Sequence, residues 1–197
     1  MSEVSFHELT NAAHYDKAGI GWYTAFVNAE ISEMIAGPSP YGNGTTANSP
    51  IIALGEGWTY HVGHFMADMK YGANSAIFFE QGFEYRNGNI RQGGIVVANT
   101  GLNAHLNLLE DFNTDRTNDP FQWIPQGLFY DLIDNRNDQA FGRVNLNDAV
   151  SGYNNQQFFN ALDDDIRRLQ EYRVRLLNEN GNNQAAGVNI IFDFYVR

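Results

Sequence analysis

Near the N-terminus, His7 and Glu8 are followed, four residues after the histidine, by Asn11. On an α-helix, residues i and i+4 share one face about 6 Å apart. Two imidazoles at that spacing can share a zinc ion at ~2.0–2.1 Å, with a third ligand from elsewhere and water in the remaining position. A glutamate beside the first imidazole would then take a proton from that water as it attacks a carbonyl carbon. Here an amide stands where the second imidazole would be. Amide oxygen is a poorer zinc donor than neutral imidazole, so Asn11 is expected to weaken the ion site. His14 shares the face of His7 but lies ~10 Å further along the axis, so it reads as a core or supporting histidine.

The third ligand must come from a second element. Glu56, in Gly55-Glu56-Gly57-Trp58, is the first choice. Its glycine neighbours would let the helix approach closely, and a carboxylate among Leu54, Trp58 and Val62 is hard to explain as a solvated charge. Glu30 is the competing candidate, although Glu30 and Glu33 read more simply as an exposed polar face. Tyr60 and His61 follow Glu56 by four and five residues, where one of them could hydrogen-bond an oxyanion. The plainer reading is an aromatic belt with His61 satisfied by a carbonyl. His64 and His105 take no role.

These residues need helices to position them. Ser5 with Glu8 three residues on is a capping-box pattern that starts a helix at His7. A second helix is predicted over residues 21–36, with Trp22, Phe26, Ala29 and Met34 on its apolar face and Gly37-Pro38 as its stop. Residues 38–50 form a polar loop, and residues 51–71 a third helix that carries Glu56 despite three glycines. Ile77-Phe78-Phe79 and Ile95-Val96-Val97 read as strands or as part of a loop-and-helix excursion. A short helix over 102–112, a polar connector over 115–120 and a helix over 125–133 with proline near its start follow. Helices near 154–162 and 165–178 come next, and residues 188–196 are an apolar strand or helix.

The run from His7 to Tyr15 resembles the H-E-L-x-H-A-x-H-[YF] segment of gluzincin-type zinc metallopeptidases. Asp16-Lys17-Ala18-Gly19 with Trp22-Tyr23 looks like its continuation, and Gly55-Glu56-Gly57-Trp58 resembles the segment that completes zinc binding. The run from Trp123 through Pro125 to Asp134 is similar to a downstream helix of several bacterial families of this type. The resemblance implies a mainly α, zincin-like domain spanning residues 1–197, cut from a longer precursor, with a minor β component. It implies zinc bound by His7 and Glu56, Asn11 in place of the usual histidine, and Glu8 as general base. The implied partner is a peptide or protein substrate, and a secreted or cell-surface location is favoured over the cytosol. The match departs at Asn11, which leaves a second reading open: a degenerate pseudo-peptidase that binds peptide or protein without cutting it. A helical structural or carbohydrate-associated protein is the reading that sets the motif aside.

The bulk composition narrows the partners. A chain of 197 residues, 43% hydrophobic and 14% aromatic, can build one sizeable core. A formal charge of −11 disfavours nucleic acid and anionic membrane surfaces. The chain has no cysteine, which removes disulfides, thiolate metal sites and cysteine nucleophiles together. Apolar runs fall short of the ~20 residues of a membrane span. Arg167, Arg168, Arg173 and Arg175 are offset by Asp163, Asp164, Asp165 and Glu171, as on a solvated helix face.

Overall fold

The computed structural model describes residues 3–37, 39–71, 123–133 and 149–196, with six short strand segments between residues 78 and 145. The protein is mainly α, with a small antiparallel β component. No helix among the described residues is long and apolar enough to cross a membrane.

Helix α1 (Glu3–Ala36) is two helical arms joined at Gly19, whose φ of 77° and ψ of 171° lie outside the helical region. That combination is essentially closed to a residue with a Cβ. The break folds the arms back on one another: the His14 ring lies 4.1 Å from that of Trp22, and Tyr15 lies 5.5 Å from Tyr23. Because the first arm already runs from Glu3, Ser5 and Glu8 sit inside the helix, and the cap expected at Ser5 is not where the helix starts. The inward stripe of this arm is His7, Thr10, His14 and Ala18, while Leu9 is exposed. An unusually polar stripe therefore faces the interior. On the second arm Trp22, Phe26, Ala29 and Glu33 are buried at helical spacing.

Helix α2 (Ser49–Tyr71) is the central element, with every residue from 51 to 61 buried. Its glycines are contact points. A Cβ on Gly55 would come within 2.6 Å of the Phe26 ring, and one on Gly57 within 3.1 Å of Pro125 Cγ. The glycines flanking Glu56 thus let α1 and the 123–127 turn pack closely on α2. The loop before α2 is organised by Glu33, whose Oε1 accepts from Thr46 Oγ1 at 2.5 Å and Asn48 Nδ2 at 2.8 Å.

Strands β1 (Phe78–Phe79), β2 (Phe83–Arg86), β3 (Asn89–Gln92) and β4 (Ile95–Asn99) form an antiparallel meander in chain order. Phe83 pairs with Gln92 and Asn89 with Asn99, with a register shift between Ile90 and Arg91. Strands β5 (Gln139–Ala140) and β6 (Val144–Asn145) pair separately. The helix expected over residues 102–112, the connector after it and His105 lie outside the described residues.

Four shorter helices complete the described fold: α3 (Leu128–Ile133), α4 (Asn155–Asn160), α5 (Leu169–Glu179) and α6 (Ala185–Tyr195). Asn154 caps α4 in a reciprocal capping box with Gln157. The fully buried rings of Phe158, Phe129, Tyr172 and Phe192 pack one on the next in that order, with centroids 5.1 to 6.2 Å apart. Tyr172 donates its hydroxyl to the Phe158 carbonyl at 2.9 Å, so the one polar tip in this aromatic seam is satisfied. Arg175 binds Asp163 and Asp165, and Lys17 also reaches Asp163, which ties α1 to the segment before α5.

Candidate functional site

The turn at Gly19 brings the two arms of α1 together against α2, and polar residues from all three meet there. His7 Nε2 lies 3.4 Å from Glu56 Oε2, and both residues are buried. Tyr60, one turn beyond Glu56, sets its ring edge-on to His7 with centroids 4.7 Å apart. Its hydroxyl is 3.3 Å from that of Tyr41, and its ring also stacks with His64 at 6.4 Å.

Glu30 joins the same cluster from the second arm. It is hydrogen-bonded to Glu56, and its carboxyl is pushed up to about 7. Burial is the main cause; the Glu56 hydrogen bond works against it, and the nearby negative charge of Glu8 adds to it. The Tyr23 hydroxyl is also raised, first by burial and then by Glu30, Glu56 and Glu8. Tyr23 and the three glutamates therefore share one electrostatic neighbourhood.

The exposed polar face expected for Glu30 and Glu33 is not what the fold makes of them. Glu33 is buried and holds the preceding loop, while Glu30 is half-buried and paired with Glu56. The spacing carried a signal for Glu33, which falls on the same stripe as Trp22, Phe26 and Ala29. Glu30, the competing ligand candidate of the sequence, reaches Glu56 through the fold-back at Gly19. Tyr23 comes in through the same fold-back, and no local pattern announces it.

Asn11 is half-buried, and its Nδ2 donates toward Glu8 Oε2 at 3.4 Å. That contact engages the amide nitrogen with Glu8. Glu8 itself is exposed at the rim. His14 is 1% exposed and tilted against the Trp22 ring, with Nε2 buried and without a hydrogen-bond partner among the described residues. Burial pushes it down to about 4, so it is neutral at physiological pH.

His61 points away from the cluster. It is fully buried among Trp58, Phe129, Tyr130 and Phe158, with Nε2 2.7 Å from Asn155 Oδ1. An amide oxygen only accepts, so Nε2 carries the proton and Nδ1 is left bare in an apolar cage. The physical reason is angular: five residues after Glu56 is about 140° around the helix. His61 is accordingly a packing histidine and not an oxyanion donor, and burial drives it down to about 3.

The residues present can be tested against a zinc ion. Two ligands at ~2.0–2.1 Å in tetrahedral geometry are about 3.3 Å apart, and the His7–Glu56 pair is separated by 3.4 Å. The same separation is that of a direct imidazole–carboxylate contact. Around the pair, Asn11 Nδ2 donates toward Glu8 and Glu30 is hydrogen-bonded to Glu56. Among the described residues no group of three or more His, Asp or Glu side chains is arranged to hold a metal ion. The described residues do not by themselves make up a zinc site.

Comparison with protein-family models, curated proteins and solved structures finds no match to this chain.

Proposed function

We propose that this protein is a zinc-metallopeptidase-like scaffold of gluzincin type that has lost a metal ligand and engages peptide or protein without cutting it. The observation that carries the reading is the convergence of His7 and Glu56, from separate helices, at the spacing of two ligands on one ion. Asn11 supports the non-catalytic form, because a donor absent from the helix leaves the pair short of a third strong ligand.

In this reading the buried polar cluster of α1 and α2 is the remnant of the peptidase-like centre. His7, Glu56 and Glu30 supply hydrogen-bonding groups in a desolvated setting, Tyr60 braces the imidazole, and Glu8 stands at the rim. A hydrolytic reading has one observation in its favour, the same His7–Glu56 spacing; there Glu8 would accept the proton of the attacking water.

Peptide cleavage with added zinc separates the two. The parent should cleave an unstructured protein no faster than buffer, Asn11→His should gain cleavage, and adding Glu8→Gln to that variant should remove it. Cleavage by the parent that Glu8→Gln abolishes would replace the non-catalytic reading with the hydrolytic one.

A further inference from the structure

The sequence has three Asn-Gly pairs, at residues 43–44, 87–88 and 180–181, and the second lies outside the described residues. An asparagine followed by glycine can react with itself. The glycine amide nitrogen attacks the side-chain carbonyl carbon, helped by the absence of a Cβ that would obstruct the approach and by the freedom of the backbone there. Both reacting groups belong to one short stretch of chain, so no partner has to be bound. The rate then depends on whether the fold leaves those groups available and stabilises the charge that develops on the side-chain oxygen.

The two described pairs differ in how these atoms are held. Asn43 and Thr45 are exposed in the loop before α2. Asn43 Oδ1 accepts twice from Thr45, from its backbone N at 3.1 Å and from Oγ1 at 2.7 Å. Two donors on a carbonyl oxygen polarise its carbon and stand ready for the oxyanion of an addition intermediate. Among the described residues neither the Gly44 N–H nor Asn43 Nδ2 has an acceptor, so nucleophile and leaving group are both unheld. Asn180, just after α5, is half-buried and tied at each point. Its Oδ1 accepts from Gln157 Nε2 at 2.5 Å, its Nδ2 donates to the Leu176 carbonyl at 2.8 Å, and Gly181 N donates to the Asn178 carbonyl at 3.4 Å.

We propose that Asn43 is a self-modification site, where the folded chain converts its own amide to aspartate and isoaspartate with Thr45 as the oxyanion donor. Gly44 N bonds to Asn43 Cγ and gives its proton to a solvent base. The Cγ–Nδ2 bond breaks, and Nδ2 takes a proton and leaves as ammonia. Water then opens the cyclic imide at either carbonyl, which leaves one new carboxylate and, in the isoaspartate product, a main chain longer by one carbon. The loop has little slack to absorb that carbon. A Cβ on Gly42 would come within 2.4 Å of Glu33 Oε2, and one on Gly44 within 2.8 Å of Trp123 Cγ. The reaction is independent of any metal and of the peptidase-like reading.

The experiment holds the full folded chain at mildly alkaline pH and follows conversion at Asn43 and Asn180 by peptide mass spectrometry, with isoaspartate resolved against synthetic peptides. Asn43 should convert at least about 10-fold faster than Asn180, whose three hydrogen bonds must break first, and the gap should close in urea. Thr45→Val should slow Asn43 about 3- to 10-fold, as expected for one lost hydrogen bond, while Thr45→Ser should keep the parent rate. Asn180 in the same samples reports that each variant is folded, by staying slow. Equal rates at the two sites in the folded chain, or a gap that persists in urea, would overturn the site. Conversion in Thr45→Val as fast as in the parent would overturn the role of Thr45.

Discussion

Replacing Gly19 by alanine isolates the backbone feature on which the whole site geometry depends. The φ of 77° and ψ of 171° at Gly19 place it where only glycine is comfortable, and holding an alanine there costs about 1–3 kcal/mol. A Cβ at Gly19 would meet no atom within 4 Å, so no packing term adds to or offsets that strain. Alanine also restricts the unfolded chain, which returns about 0.4–1 kcal/mol. The net expectation is a loss of about 1–2 kcal/mol, or about 2–8 °C in Tm for a chain of this size. Gly21→Ala is the matched control. It too has open space, but it lies within the second helical arm, where alanine should be neutral or stabilise by up to about 1 kcal/mol. Urea unfolding followed by far-UV circular dichroism reads both. If Gly19→Ala is as stable as Gly21→Ala, α1 does not turn at Gly19, and the meeting of His7 with Glu30 and Glu56 has no basis.

Three other outcomes follow from particular contacts. Gly55→Ala should lose about 1–3 kcal/mol because its Cβ would strike the Phe26 ring at 2.6 Å; Phe26→Leu in the same chain should recover part of that loss, as measured by urea unfolding. His14 and His61 have folded values below the usual 6.5, so the stability they contribute is present above pH 6.5 and is lost as pH falls toward about 4 and about 3. Glu30, raised to about 7, works in the opposite sense, its contribution being full below pH 4.5 and lost as pH rises through 7. Between pH 8 and 5 the parent should therefore lose only about 1–2 kcal/mol, while Glu30→Gln, lacking the compensation, should lose about 3–4 kcal/mol; equal losses in the two would remove Glu30 from the buried cluster. Tyr172→Phe should lose about 1 kcal/mol or more, because the Phe158 carbonyl loses its buried donor, and thermal unfolding measures it.

Much of the helical frame was legible because apolar spacing and stop signals agreed. The second arm of α1 is read from Trp22, Phe26 and Ala29, and Gly37-Pro38 marks where it stops. Helix α2 is legible from its length, although its glycines argue against it on propensity; tertiary contact with Phe26 and Pro125 explains why they are there. The first arm is less readable, since its buried stripe includes His7, Thr10 and His14 while Leu9 faces outward. The tail from residue 188 was ambiguous between strand and helix because a short apolar run fits both, and it is α6. Meander strands β1 and β4 fall where Phe78-Phe79 and Ile95-Val96-Val97 suggested. Of the candidate site, the His7 and Glu56 pairing rested on motif spacing, whereas Glu30 and Tyr23 come in through the chain reversal at Gly19. His61 takes the plainer of its two readings, packing among aromatic rings, because a residue five positions after Glu56 does not share its helix face.

The most direct measurement of the central proposal is zinc calorimetry on the apo parent beside Asn11→His. The His7–Glu56 pair should bind zinc weakly in the parent and, once the missing imidazole is supplied, bind one ion per chain at least 100-fold more tightly, with the gain removed by Glu56→Gln. Equal zinc affinity in parent and Asn11→His, or a gain indifferent to Glu56, would contradict the assignment of His7 and Glu56 to a common ion.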